Sequence, residues 1–182
     1  MEREISELLG NLTKHEPDVQ FKSIEEVMKL VKEPVDWTYS IWEQLIKALT
    51  YKNAHVRAQA SQILCALAAT SDPEERVLED FLKIWAITYD EETVASLQSL
   101  QSIWKIGLAG QVQRDLVVSY LARRFHACTN EKQATTIRYE IITSLKKLFD
   151  KTGDSMLLTI VNNLIDQEKD VSLQKKYKEA FC

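Results

Sequence analysis

Apolar positions recur along nearly the whole chain at the spacing of one helix face. Ile41, Leu45 and Leu49 show it, and so do Leu116, Val117, Tyr120 and Leu121. Strict apolar–polar alternation is absent over any useful length, so the pattern predicts helices rather than strands. The runs break at regular intervals. Pro17 and Pro34 stand between apolar runs, where a proline ends one helix and suits the start of the next. Ser71-Asp72-Pro73-Glu74-Glu75 combines a capping residue, a first-turn proline and acids placed against the helix dipole. Gly107 and Gly110 bracket a further break, and Gly153 marks another. The predicted helices are 3–14, 18–32, 36–50, 54–69, 73–88, 91–107, 111–127, 131–150, 154–166 and 170–181. The connections between them are short, as between antiparallel neighbours in a helical stack.

Every second helix overlays on the others without gaps. The anchors Val19, Val56, Ala95, Ile137 and Val171 are 37, 39, 42 and 34 residues apart. Four positions on stand Ser23, Ala60, Ser99, Ile141 and Lys175; eight on, Val27, Leu64, Ile103, Leu145 and Glu179; eleven on, Leu30, Leu67, Ile106, Leu148 and Cys182. These offsets share one side of a helix. In four helices that side is apolar or small and is expected to pack on the preceding helix. In the fifth it turns polar, as suits a terminal cap. A bundle of five to seven helices with accidental spacing is the competing arrangement; agreement of four offsets across four helices weighs against it.

The segment Asn53-Ala54-His55-Val56-Arg57-Ala58-Gln59-Ala60-Ser61-Gln62-Ile63-Leu64-Cys65-Ala66-Leu67 resembles the second helix of a HEAT or armadillo repeat. Ile137-Arg138 repeats its Val-Arg pair; Val19-Gln20 and Val171-Ser172 keep the apolar half; Ala95-Ser96 departs from it. The resemblance implies an all-α, right-handed α-α superhelix of about five HEAT-like pairs, with repeats near 1–33, 34–70, 71–108, 109–151 and 152–182 in one domain. The tetratricopeptide pattern fits worse, because its period is fixed at about 34 and its Trp/Leu-Gly/Tyr signature is missing.

The same overlay marks a polar strip. Lys22, Gln59, Gln98, Glu140 and Gln174 stand at offset three; Glu25, Gln62, Gln101, Thr143 and Tyr177 at offset six; Lys29, Ala66, Lys105, Lys147 and Phe181 at offset ten. They share an arc of about 60°. Offsets two, five and nine are mostly apolar (Phe21, Ile24, Met28, Leu97, Leu100, Trp104, Tyr139, Ile142) and are expected between repeats. In HEAT-like repeats the second helices line the concave side. The resemblance therefore makes Lys22, Lys29, Gln59, Gln62, Gln98, Gln101, Lys105, Glu140 and Lys147 candidates for contact with a protein partner, an acidic or extended segment. Against this stands the ordinary solvated helix face. Trp37, Trp42, Trp85 and Trp104 are expected to pack in the core, although an exposed Trp104 would join the binding residues as a hot spot. Arg123, Arg124 and His126 lie late in a helix, where cations suit the dipole.

Composition narrows the function. The net charge of −4 gives no overall field toward nucleic acid or an anionic membrane. Only four glycines and three prolines are present, too few for the turns of a β-sandwich. No apolar run is long enough for a membrane span, and the first residues lack signal-peptide character. Three distant cysteines (Cys65, Cys128, Cys182) suggest a reducing compartment, the cytoplasm, without disulfides. His15, His55 and His126 have no ligands at zinc spacing, and His126-Ala127-Cys128 point in different directions, so no metal or cofactor is expected. No phosphate loop or nucleophile elbow occurs. Asp90-Glu91-Glu92 reads as charge at a helix start. The expectation is a non-enzymatic interaction module or adaptor. A second reading is an enzyme similar to the alkylpurine DNA glycosylases, some of which cradle damaged DNA with HEAT-like repeats; the charge and the lack of an aromatic–carboxylate cluster weigh against it.

Overall fold

The computed structural model describes residues 2–14 and 16–181; His15 and Cys182 lie outside them. Ten α-helices follow in order: α1 (Glu2–Asn11), α2 (Pro17–Leu30), α3 (Thr38–Ala48), α4 (Ala54–Thr70), α5 (Arg76–Ala86), α6 (Thr93–Ile103), α7 (Gln111–Ala127), α8 (Ala134–Thr152), α9 (Ser155–Asp166) and α10 (Val171–Phe181). Among the described residues there is no strand. The protein is all-helical, and the chain forms two compact units, Met1–Ser102 and Ile103–Cys182.

Within the first unit α1 packs on α2 and α3 on α4, while α4 also meets α2 and α5. Within the second, α8 packs between α7 and α9 and against α10. Helices α2 and α4, α3 and α5, α7 and α9, and α8 and α10 also touch across one intervening element, the packing expected of stacked helical pairs. The overlay explains the core. Val56, Ala60, Leu64 and Leu67 are buried on α4. Ala95 and Ser99 are buried on α6, and Ile137, Ile141, Leu145 and Leu148 on α8. On α2 Ser23 and Val27 are buried, Val19 is half-buried and Leu30, expected on the same side, is 39% exposed.

Two arginines tie successive pairs together. Arg57 donates to both carboxylate oxygens of Asp90, at 2.6 and 2.7 Å, and to the carbonyls of Tyr51 and Lys52. Asp90 in turn accepts from the backbone N–H of Glu92 just before α6. Arg138 repeats the device in the second unit: it donates to the Phe125 carbonyl, to Thr129 and to Glu168, whose other oxygen accepts the N–H of Lys169. In both, one planar guanidinium satisfies a loop of its own pair and a carboxylate of the next.

The structure changes several expectations. Helix α5 begins at Arg76, not at residue 73. Asp72 caps it from outside by accepting the N–H groups of Arg76 and Val77, while the Tyr39 hydroxyl donates to Asp72 and accepts from the N–H of Glu74. This binds residues 72–74 to α3 instead of releasing them into a helix, and Glu75 enters α5 in the left-handed region at φ 54°. Burial pushes the Tyr39 hydroxyl up to about 12. Helix α6 tightens into a 3₁₀ turn over Trp104–Leu108, where Gly107 comes so close to Leu148 that a Cβ would lie 3.1 Å from its methyls. Phe21 is exposed rather than packed between repeats. On α10 Tyr177 is fully buried against Phe125, so the polar column expected there turns inward. Val171, Lys175 and Glu179 are exposed.

The Arg57–Asp90 pair is largely enclosed, with side-chain exposures of 16% and 8%. The Arg57 guanidinium holds the Asp90 carboxyl below its ordinary range, and Arg124 does the same for Glu131. Groups depressed in the folded state contribute stability above their unfolded pKa and lose it as pH falls through the folded value. Urea melts should therefore show constant stability near neutrality, then a decline below about pH 4. Asp90→Ala should cost about 3 kcal/mol at neutral pH and should flatten part of the acid decline. A smaller effect is expected at the buried Ser61–Ser99 pair, whose hydroxyls lie 2.8 Å apart between α4 and α6. Ser99→Ala should cost about 1 kcal/mol by stranding Ser61, and adding Ser61→Ala should cost less than a second independent loss, as a double-mutant cycle would record.

Candidate functional site

The polar strip is built differently in each unit. In the first, Lys22 and Lys29 project from α2 into solvent. Gln59 and Gln62 on α4 and Gln98 on α6 are half-buried, and Gln101 is exposed. Their position follows from the anchors: Val56, Ala60 and Leu64 point inward, which leaves offsets three and six at the edge of the buried arc. The Gln62 amide donates to the Gln98 carbonyl oxygen at 3.0 Å, joining the two helices across the strip. Gln59 Oε1 is enclosed and accepts no hydrogen bond. Ala66 is buried and interrupts the offset-ten column between Lys29 and the later lysines.

In the second unit Lys105 is half-buried within the 3₁₀ turn, Glu140 is half-buried on α8, and Lys147 is exposed on the same helix. Trp104 is only 9% exposed, so the structure removes it from the accessible candidates: the 3₁₀ turn packs on α7 and α8 and takes the indole inward. Trp37, Trp42 and Trp85 are buried as well, and the Trp42 indole donates to Asp80 at 2.8 Å.

The basic cluster late in α7 is divided. Arg124 is 1% exposed and donates through both terminal nitrogens to Glu131. Arg123 lies exposed over the Tyr120 ring. Cys128 is buried and its thiol donates to the Phe125 carbonyl; burial pushes that thiol up, away from reactivity. Among the described residues no three His, Cys, Asp or Glu side chains gather around a common point. No helix of the described chain is long and apolar enough to cross a membrane.

Arg114, in the first turn of α7, opposes the helix dipole and pairs with Asp154 at 3.5 Å.

The fold defines the protein as all-helical, consistent with a repeat-like helical protein. No family model matches the chain, and no curated protein matches it. Among solved structures it is similar to the crystal structure of an engineered protein, at TM-score 0.55 and 15% identity, over 97% of this chain and 77% of that one. It is also similar to a second engineered protein at TM-score 0.55 and 14% identity, over 97% of this chain and 46% of that one. At such identities the likeness concerns fold alone.

Trp104 is expected to serve stability. Trp104→Ala should lower the unfolding free energy by about 3–5 kcal/mol in urea titrations. An unchanged unfolding midpoint would restore it to the surface candidates.

Proposed function

We propose that the chain is a short HEAT-like superhelix that works as a non-enzymatic binding module, receiving an extended segment of a partner protein along its second helices. The observation that carries this reading is the amide pair on α4 and α6. Gln62 and Gln98 bond to each other and still have an acceptor and donors to offer, and Gln59 and Gln101 continue the array on either side. Side-chain amides are uncharged and carry both kinds of hydrogen-bonding group. They match the repeating N–H and C=O of an extended backbone without demanding a particular sequence. Lys22 and Lys29 on α2 add positive charge on the same unit, which favours an acidic flank on the partner. The resemblance to HEAT repeats supports the same conclusion, because it puts the second helices on the inner side of the curve.

Replacing both Gln62 and Gln98 by Ala should weaken a captured protein partner about tenfold, on the scale of one to two lost hydrogen bonds. The change should leave the circular-dichroism melt close to that of the wild type. Partners are first captured from lysate with wild-type chain, and each is then titrated against the variant and against a Lys132→Glu control on an exposed loop. Undiminished binding of every partner by the double variant would sink the proposal. So would tight, steeply salt-dependent binding of duplex DNA, which belongs to the nucleic-acid reading.

A further inference from the structure

Helix α5 and the 3₁₀ turn Ile87–Tyr89 that follows it lie within the first unit and present an apolar stripe to solvent. Leu82 is 62% exposed and Tyr89 50%. Ala86 is exposed between them, and Leu78 is half-buried. Positions 78, 82, 86 and 89 follow the spacing of one helix face. This is not the core face turned outward, because Val77, Phe81, Ile84 and Trp85 are buried on the other side. Phe81 stacks on Trp85, and the Tyr89 ring meets Trp85 edge-on at 6.3 Å, which fixes it at the surface. Helix α3 of the same unit presents no such stripe: its exposed residues are Ser40, Glu43, Gln44 and Lys47.

Negative charge is gathered around the stripe. Residues 72–92 hold eight acids and two basic residues, a net of −6 against −4 for the whole chain, so the remainder of the chain is net positive. Glu74 and Glu75 are exposed before α5, and Glu91 and Glu92 beyond Tyr89 at its other end. Glu79 is exposed beside Leu82, within the same arc of the helix. The cations among them are engaged: Arg76 by Glu43, Lys83 by Asp80 and Arg57 by Asp90. These pairs neutralise themselves and leave the surface negative. The helix dipole alone favours acids at helix starts, but it does not account for an exposed leucine and tyrosine set between two such groups. An apolar line rimmed by charge is the kind of surface that marks a contact with another protein.

We infer that the exposed face of α5 docks an amphipathic helix of a partner protein, one that lays apolar side chains along Leu82, Ala86 and Tyr89 and carries lysines or arginines at both ends. Residues 76–89 run about 22 Å at helical rise, which a partner helix of about fifteen residues spans. Its terminal cations then reach Glu74 and Glu79 at one end and Glu91 and Glu92 at the other. Ala86 leaves a notch between Leu82 and Tyr89 for one apolar side chain of the partner. The same field steers basic segments inward and opposes acidic segments and nucleic acid. The surface shares no residue with the glutamine strip.

The probe is an acetylated, helix-forming peptide of about fifteen residues, with leucines along one face and lysines at both ends, titrated against the labelled full chain. One control carries glutamates in place of the lysines; another carries glutamines in place of the leucines. At low salt the lysine peptide should bind about tenfold more tightly than the glutamate peptide, and the gap should narrow as salt rises. Loss of the leucines should weaken binding by about tenfold or more. Leu82→Gln and Tyr89→Gln, both at exposed positions, should each weaken the lysine peptide about tenfold while the thermal melt stays in place. Joint replacement of Glu74, Glu79, Glu91 and Glu92 by Gln should erase the preference for lysine over glutamate ends and leave the dependence on leucine. Absence of binding overturns the inference, as does equal binding of the lysine and glutamate peptides or binding unchanged by Leu82→Gln in a folded variant. Self-association of the chain that Leu82→Gln abolishes would assign the stripe to a second copy and overturn it equally. Variants at Gln62 and Gln98 should leave the peptide bound, which keeps the two surfaces experimentally separate.

Discussion

No helix in this chain can bury its apolar side alone. Helix α4 shows the constraint most clearly, with Val56, Ala58, Ala60, Ile63, Leu64, Cys65 and Leu67 all below 2% exposure. A single partner helix covers one stripe; a helix with buried residues at all these angles needs neighbours on several sides at once. Those neighbours are α2, α3 and α5 by direct packing, and α6 through the Ser61 and Gln62 bonds. The pairs must therefore stand at a fixed distance from one another, and the loops that join them are held to that distance by charged groups. Arg57 reaches from its own loop to Asp90, and Arg138 from its own loop to Glu168. Each guanidinium meets backbone carbonyls on one side and a carboxylate on the other. Buried this far, such a group is affordable only with nearly all of its donors used.

Because the period is near 40 residues and the anchors are apolar or small, the core columns were legible without a structure: Ile137, Ile141, Leu145 and Leu148 are buried as their offsets require. The polar strip was legible for the same reason, since offsets three and six sit beside the anchors on the wheel. What escaped was set by partners distant in sequence. Asp90 read as an acid favouring a helix start, and it does accept the Glu92 N–H, but its main partner is Arg57, 33 residues earlier. The start of α5 was misjudged because Tyr39, from the previous pair, holds the segment before it. Tyr177 shows a different limit. The overlay carried α10 in the register of the other helices, yet α10 turns Tyr177 inward against Phe125.

The α3–α5 and α7–α9 interfaces differ in the side chains that fill them. Between α3 and α5 the space is filled with bulk: Trp42 reaches Asp80, Arg76 lies over the rings of Tyr39 and Trp42, and Phe81 stacks on Trp85 along α5. Asp80 accepts there from both the Trp42 indole and Lys83. Between α7 and α9 the wall residues include Ser119 and Ala122, and Arg114 bonds to Gln111 and pairs with Asp154 at 3.5 Å. The α3–α5 seam is filled with bulky side chains, whereas the α7–α9 seam leaves a groove of about 640 Å³. Small residues along the α7–α9 seam forgo packing that the bulky residues between α3 and α5 make.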